Sequence, residues 1–152
     1  MSERWYPHVT VACIARRDSK YLMVREYCDG SSVINQPAGH LEQGESLWQA
    51  VIRETLEETG YHFEPRYISG IYQFVAANGE TYLRFTFYGE LVGEQTDQPL
   101  DSDINEIVWF NRQELEKHID QLRSQAVLAC VADFEAGQQL PLVTVQGLQL
   151  EV

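Results

Sequence analysis

Hydrophobic and polar residues alternate along much of the chain, and this pattern predicts a protein rich in β-strands. The predicted strands cover residues 8–17, 21–26, 33–36, 64–77, 80–92 and 107–110. Asn78-Gly79 separates the two longest of them, and this dipeptide is the strongest short sequence signal for a β-hairpin. A turn at residues 18–20 predicts a second hairpin near the start of the chain.

Three segments lose the alternation and carry helix signals instead. A central helix is predicted over residues 46–59, because Ser46 is a favourable N-cap and Gly60 tolerates the left-handed conformation that ends many helices. A short helix is predicted from the cap Asn111 through residue 118, and a longer one over residues 125–136, before Gly137. Strands on both sides of a central helix, with further helices near the end, predict an α+β fold or an α/β/α sandwich.

The strand over residues 80–92 has two distinct faces because side chains alternate along a strand. The predicted core residues are Leu83, Phe85 and Phe87. The predicted polar face carries Tyr82, Arg84, Thr86 and Tyr88.

The central helix concentrates negative charge on one side. At about 100° per residue, Glu54, Glu57 and Glu58 lie within an arc of roughly 100°. Carboxylates three and four residues apart repel one another, and a hard divalent cation such as Mg²⁺, Mn²⁺ or Ca²⁺ would remove that repulsion. Acidic runs are also common on solvated helices, so the run alone leaves both interpretations open. The opposite, packing face carries Trp48, Ile52, Thr55 and Thr59.

Composition narrows the function classes. The chain has 152 residues, enough for one domain with a proper core, and 23 acidic against 11 basic residues give a formal charge of −12. This charge argues against partners such as duplex nucleic acid or an anionic membrane. A small phosphorylated substrate is also an anion, so it would arrive with metal ions or meet a local arginine patch.

Cysteine content and hydropathy bear on the compartment. The three cysteines, Cys13, Cys28 and Cys130, show no pairing motif, which fits a reducing compartment, and Cys13 and Cys130 are predicted to be small core residues. The first residues lack the apolar segment of a signal peptide, and no apolar run is long enough to span a membrane. A cytoplasmic location is therefore expected.

The segment around the acidic helix resembles a known family signature. Its spacing is Gly39, five residues, Glu45, seven residues, Arg53-Glu54, two residues, Glu57-Glu58, one residue and Gly60. This spacing resembles the Nudix box of the Nudix hydrolases, here residues 39–61, and departs from it only at the aliphatic positions Thr55 and Tyr61. The resemblance implies a mixed β-sheet between helices and hydrolysis of phosphoanhydride bonds.

The resemblance also implies roles for residues in and beside the box. The implied ligands of Mg²⁺, with Mn²⁺ as an alternative, are the carbonyl oxygen of Ala38 and the carboxylates of Glu54, Glu57 and Glu58. Glu54 is the predicted general base and Glu57 the alternative. The positions with structural roles are Gly39, Glu45, Arg53 and Gly60, and Glu45 is the expected ion-pair partner of Arg53. No role is predicted for His40.

Residues outside the box supply candidates for substrate binding. Arginines are scarce in this acidic chain and bind phosphate well, so the candidates are Arg84, which is favoured, Arg25 and Arg123. Tyr82 or Trp5 would stack on a heteroaromatic ring. Asp101 and Asp103 occupy a loop where some family members place another metal ligand, although a solvated acidic loop is the alternative.

Several motifs beyond the box, including residues 8–15, 83–87 and 122–124, resemble bacterial phosphatases within the family. Those enzymes release phosphate from nucleoside tri- and diphosphates and from hydroxymethylpyrimidine pyrophosphate. The alternatives are a Nudix hydrolase of ADP-ribose or a dinucleoside polyphosphate, a nucleotide sensor without catalysis, and an acidic helix in an interaction protein. Sensors of this fold typically lose box carboxylates, which this chain retains. The sequence does not decide between a monomer and a homodimer.

Overall fold

The computed structural model describes residues 2–148, and this part of the chain forms eight β-strands and three α-helices. The strands are β1 His8–Ile14, β2 Arg16–Arg17, β3 Lys20–Cys28, β4 Ser31–Asn35, β5 Ala38–His40, β6 His62–Val75, β7 Thr81–Val92 and β8 Ile104–Phe110. The helices are α1 Leu47–Thr59, α2 Arg112–Lys117 and α3 Gln125–Glu135. Short 3-10 helices cover Ile119–Gln121 and Leu142–Thr144.

Two sheets organise the strands. The first has the order β5-β1-β7-β6, in which β1 and β7 run parallel and the other neighbours run antiparallel. In the second sheet β3 pairs antiparallel with β2, β4 and β8. The predicted hairpin at Asn78-Gly79 joins β6 to β7, and Gly79 has a φ of 85° there.

Helices α1 and α3 each cover a hydrophobic cluster. Ala50 and Val51 of α1 pack in one cluster with Val11 and Phe87, whereas Val127 and Val131 of α3 belong to the other. Because neighbouring residues of β1 point into different clusters, the first sheet lies between the two helices. The predicted α+β fold, with a mixed sheet between helices, is confirmed.

Helix α1 begins and ends where the sequence predicts. The Ser46 side chain accepts a hydrogen bond from the Gln49 backbone N–H, and the Gln49 side chain accepts one from Ser46 N–H, which completes a capping box. Gly60 closes the helix with a φ of 76°, a conformation that costs glycine little. Asn111 likewise caps α2, as predicted.

Other boundaries differ from the prediction for reasons of tertiary structure. The segment predicted as one strand, residues 8–17, divides at Ala15, because β1 pairs within the first sheet and β2 within the second. Residues 38–40, for which no strand is predicted, form strand β5 along β1. Residues 104–106, predicted as loop, extend β8.

The predicted polar face of β7 is largely buried. Arg84 and Thr86 are both buried, and Thr86 Oγ1 lies 3.2 Å from Cys130 Sγ of α3. Helix α3 covers this face, and α1 covers the face that carries Phe87, so the middle of β7 is enclosed on both sides. Period-two alternation shows which residues share a face but not whether that face is covered.

Two further expectations concern thiols and membrane segments. Cys13 and Cys130 are free and buried, as predicted, and burial raises the pKa of the Cys13 thiol to about 12. Among residues 2–148 there is no helix of the length and hydropathy that a membrane span requires. The tail after Leu140, for which the sequence predicts no role, includes the 3-10 helix Leu142–Thr144, and residues 149–152 lie outside the described part of the chain.

Candidate active site

Three carboxylates from two segments converge beside strand β5. Glu54 and Glu58 lie one helical turn apart on α1, and Asp101 belongs to the loop before β8. One ligand oxygen from each of the three lies within 4.8 Å of the others. Glu54 is 9% exposed and Glu58 is 5% exposed, whereas Asp101 is exposed. We call these three residues the carboxylate cluster.

Burial makes the negative charge of the carboxylate cluster costly. It raises the pKa of Glu58 to about 9, and the charges of Glu26 and Glu54 add to this effect. Burial also raises the pKa of Glu54, although Arg53 opposes the shift. Buried carboxylates of this kind bind either protons or a cation. Because every ligand atom is a carboxylate oxygen, the cluster fits a hard divalent ion.

Strand β5 places backbone against the cluster. The Ala38 backbone N–H donates a hydrogen bond to Glu58 Oε2 at 3.2 Å. A Cβ atom on Gly39 would lie 2.1 Å from Glu54 Cδ, so any side chain at this position would displace the carboxylate. Glycine therefore leaves the space in which the Glu54 carboxylate lies against β5.

The loop between β7 and β8 brings Asp101 to the cluster by hydrogen bonding to the end of α1. The Asp101 backbone N–H donates to the Glu57 carbonyl at 3.0 Å. Thr96 donates to the Gly60 carbonyl through both its N–H, at 2.8 Å, and its Oγ1, at 2.9 Å. The Gln95 side chain donates to the Thr59 carbonyl. These contacts satisfy carbonyl groups that a helix end leaves unpaired.

Arg53 forms the expected ion pair and additional ones. It donates from Nε and Nη2 to both oxygens of Glu45, at 3.0 and 2.7 Å. Its Nη1 donates to Glu54 at 2.8 Å and to Glu57 at 3.1 Å. The sequence groups Glu57 with the metal ligands, but the structure places its partly exposed carboxylate on Arg53, outside the carboxylate cluster.

A cleft of about 310 Å³ adjoins the carboxylate cluster through Ala38 and Gly39. Three of the five candidate substrate-binding residues, Arg84, Arg123 and Tyr82, line it. Tyr82 stacks on Phe74 with ring centroids 5.6 Å apart, and together they form an aromatic wall. Asp103 and His40 also line the cleft.

Arg25 and Trp5 are not among the residues that line this cleft. Arg25 Nε lies 2.9 Å from Glu106, and its Nη1 donates to Gln121 at 3.1 Å. The reason is the alternation of β3, which directs Arg25 to one face and its neighbour Glu26 to the other, toward the cleft. Trp5 is exposed in the segment before β1.

Several polar residues of the cleft were not predicted from the sequence, among them Glu26 and Asn35. Glu26 Oε1 lies 3.4 Å from Arg123 Nε and 3.4 Å from Asn35 Nδ2. Burial raises the pKa of Glu26, and the positive charge of Arg123 opposes the shift. The sequence signal for Glu26 is the alternation of β3, which gives it the opposite face from Arg25.

Comparison with known proteins identifies the class to which this fold and site belong. The sequence profile of the NUDIX domain matches residues 6–129, and the chain belongs to this family. It is 40% identical over 136 residues to phosphatase NudJ of Escherichia coli K12 and of Shigella boydii, an alignment that covers 90% of this chain and 88% of each relative.

Solved structures agree with this assignment. A NUDIX hydrolase from Nitrosomonas europaea is 45% identical and superposes with a TM-score of 0.91, covering 93% of this chain and 97% of that one. A MutT NUDIX hydrolase from Burkholderia pseudomallei, 22% identical, shares the fold with a TM-score of 0.71 over 85% of this chain and 98% of its own. The protein is thus a NudJ-like Nudix hydrolase that acts on small substrates with phosphoanhydride bonds.

Proposed function

We propose that this enzyme hydrolyses nucleoside tri- and diphosphates and hydroxymethylpyrimidine pyrophosphate with release of orthophosphate, and that it requires Mg²⁺, for which Mn²⁺ can substitute. The observation that carries the proposal is the position of the carboxylate cluster. It lies against Ala38 and Gly39, and these two residues also line a cleft with arginine and aromatic walls. The similarity to phosphatase NudJ supports the substrate class and the product.

In this proposal the cation is held by the carbonyl oxygen of Ala38 and the carboxylates of Glu54 and Glu58. Asp101 is an additional ligand, since its carboxylate lies within the same cluster. Glu57 becomes a further ligand only if its carboxylate leaves Arg53 and binds the cation instead. When bound, the cation neutralises phosphate charge and lowers the pKa of bound water.

Glu54 is the proposed general base. Arg53 holds Oε1 of Glu54 at 2.8 Å, and Gly39 leaves no space for the carboxylate to shift toward β5. A base held in this way accepts a proton from water that attacks phosphorus in line with the departing oxygen. Glu57 is the alternative base, because it is partly exposed and lies on the same cationic side chain.

The cleft would hold the substrate by charge and stacking. Arg84 and Arg123 donate to phosphate oxygens, as guanidinium groups do in many phosphate sites. Tyr82 and Phe74 present stacked rings that would bind a pyrimidine or purine. A small anion can bind at this local arginine pair although the protein as a whole, with its formal charge of −12, repels polyanions.

A substrate panel tests the proposal. Phosphate release is measured with and without Mg²⁺ from GTP, GDP, hydroxymethylpyrimidine pyrophosphate and ADP-ribose, with products separated by chromatography. We expect orthophosphate from the first three only when the metal is present. Glu54→Gln and Glu57→Gln should each lower kcat by about 100-fold or more. Glu116→Gln, on the exposed surface of α2, is the matched control and should keep full activity.

Other outcomes would replace the proposal. Cleavage of ADP-ribose alone would keep the family chemistry and discard the NudJ-like substrates. Nucleotide binding without turnover of any substrate would identify a sensor. Full activity of Glu54→Gln and Glu57→Gln would show that the acidic helix has only a structural role.

A further inference from the structure

Arg84 is a buried cation whose direct hydrogen-bond partners are neutral. It is 4% exposed, and its guanidinium donates to the amide oxygens of Asn35, at 3.4 Å, and of Gln36, at 2.5 Å. Its Nε has no hydrogen-bond partner, and within residues 2–148 it forms no ion pair. A buried charge is costly unless an opposite charge compensates it. Because Arg84 lines the cleft, an anion bound there would supply that charge.

Helix α3 starts at the same wall of the cleft. Ser124, its N-cap, lines the cleft and accepts a hydrogen bond from the Ala126 backbone N–H. The N-terminus of this 11-residue helix carries partial positive charge, which favours anions. Gln36 joins the helix to Arg84, since its Nε2 donates to the Val127 carbonyl at 2.8 Å and its Oε1 accepts from Arg84.

Arg123 stands immediately before this helix and is 42% exposed. Glu26, at 3.4 Å, pairs with Arg123, and its charge also interacts with that of Arg84, so one partly buried carboxylate faces two guanidinium groups and the helix end. Asp103 also lines the cleft, but it is exposed and therefore well screened by solvent. We call Arg84, Arg123 and the N-terminal turn of α3 the cationic end of the cleft.

Strand register relates the backbone at Arg84 to β5, the strand beside the carboxylate cluster. Arg84 of β7 lies opposite Thr10 of β1, which lies opposite His40 of β5. Two strand spacings amount to about 10 Å, and this span suits a di- or triphosphate. Tyr82 lies two residues before Arg84 on the same face of β7. The aromatic wall is therefore on the side of Arg84 that faces the turn between β6 and β7. Because Arg84 is almost fully buried, the cleft closes behind it.

From this arrangement we propose that the cationic end binds the terminal phosphate of the substrate and selects phosphate chains that end in an unesterified phosphate. This inference rests on the proposed function and narrows its substrate class. A terminal phosphate carries about two negative charges, as a phosphomonoester does near neutral pH, whereas an internal phosphate carries one. A sugar esterified to it would meet the wall formed by Arg84, Asn35 and Gln36. The enzyme therefore acts on nucleoside diphosphates and rejects diphosphates that are substituted at both ends.

ADP and ADP-ribose make a matched pair of substrates, because they differ only by the ribose on the terminal phosphate. Water cleaves ADP to AMP and orthophosphate, and ADP-ribose to AMP and ribose 5-phosphate, so AMP reports both reactions. We expect kcat/KM to favour ADP by about 100-fold or more. In Arg123→Gln this preference should fall by about 10-fold, through a lower kcat/KM for ADP. The control Arg112→Gln, 43% exposed and likewise paired with a glutamate, should keep the wild-type preference.

Binding of inorganic phosphate tests the cationic end without catalysis. In metal-free buffer the carboxylate cluster repels anions, so calorimetry with inorganic phosphate reports the cationic end. We expect Arg123→Gln and Arg84→Gln to weaken phosphate binding by about 10-fold or more, and Arg112→Gln to leave it unchanged. Arg123→Gln serves alone if the buried substitution at Arg84 prevents folding.

The two proposals fail separately. Equal use of ADP and ADP-ribose, or phosphate binding that is unchanged in Arg123→Gln, would overturn the terminal-phosphate site and leave Nudix hydrolysis intact. If neither nucleotide is cleaved with Mg²⁺, the proposed function fails, and the phosphate titration decides alone whether the cationic end binds phosphate.

Discussion

Because Gly39 has no side chain, the carboxylate of Glu54, the proposed general base, can lie directly against strand β5. A Cβ atom at this residue would lie 2.1 Å from both Cδ and Oε1 of Glu54. Arg53 holds the same carboxylate from the other side at 2.8 Å. The close approach to Gly39 and the hydrogen bond from Arg53 together position Glu54, as the proposed role of general base requires.

Replacing Gly39 with alanine should therefore separate activity from stability. We expect kcat to fall by about 100-fold, because the Glu54 carboxylate must move, with little change in the free energy of unfolding. Gly137→Ala is the control: Gly137 has a φ of 84° and open space around its Cα, so alanine should cost about 1 kcal/mol in stability and leave kcat unchanged. Steady-state kinetics and denaturant unfolding check both variants, and an active Gly39→Ala would refute the steric argument.

Glu58 couples stability to pH and to metal. Its pKa is about 9 in the fold against an ordinary 4.5, so the folded state binds this proton more tightly than the unfolded state. The stabilisation is complete below pH 4.5 and is lost as the pH rises through about 9. Metal-free protein should therefore lose stability across this window.

Glu58→Gln removes that penalty and also a proposed metal ligand. At about pH 8 without metal, we expect the variant to have a higher Tm than the wild type, because a neutral amide replaces a buried carboxylate. Added Mg²⁺ should raise the wild-type Tm and reverse this order, because binding stabilises only the protein that retains the ligand. A variant that is less stable than the wild type under both conditions would contradict the assignment of burial as the cause.

At the scale of elements, the loop between β7 and β8 acts as a cap on α1. It hydrogen-bonds the carbonyls of Glu57, Thr59 and Gly60, and so holds Asp101 beside the carboxylate cluster. The same contacts thus stabilise a helix end and position Asp101, a proposed metal ligand. Loosening this cap should weaken metal binding even though no ligand is changed.

Thr96→Val tests this coupling. The substitution removes the hydrogen bond from Oγ1 to the Gly60 carbonyl and should lower the free energy of unfolding by about 1 kcal/mol. We also expect the Kd for Mg²⁺, measured by calorimetry, to rise several-fold. Thr144→Val makes the same change at an exposed residue far along the chain and should alter neither quantity. Unchanged metal affinity in Thr96→Val would show that Asp101 is positioned independently of the cap.

Local signals predicted the elements that depend on local interactions. Ser46, Gly60 and Asn78-Gly79 gave correct helix and hairpin boundaries because caps and turns are decided by a few neighbouring residues. Strand β5 and the burial of Arg84 were missed, because both depend on partners distant in sequence, namely β1 and α3. The grouping of Asp101 with Glu54 and Glu58 was open for the same reason.

At the scale of the molecule, the first sheet separates two hydrophobic layers and carries the cleft at one end. Strands β1, β5 and β7 form the floor of the cleft, α1 supplies the acidic side and α3 the cationic side. One end of a single sheet thereby brings an acidic side and a cationic side to the same cleft. The formal charge of −12 makes a bound cation more favourable still.

The central claim, that the carboxylate cluster is a divalent metal site, is tested most directly by anomalous diffraction from crystals grown with Mn²⁺. The account predicts a strong anomalous peak among the carboxylates of Glu54, Glu58 and Asp101, within bonding distance of the Ala38 carbonyl. This peak should be absent from crystals of Glu58→Gln grown in the same way. A peak elsewhere, or no peak in wild-type crystals at saturating Mn²⁺, would contradict the account.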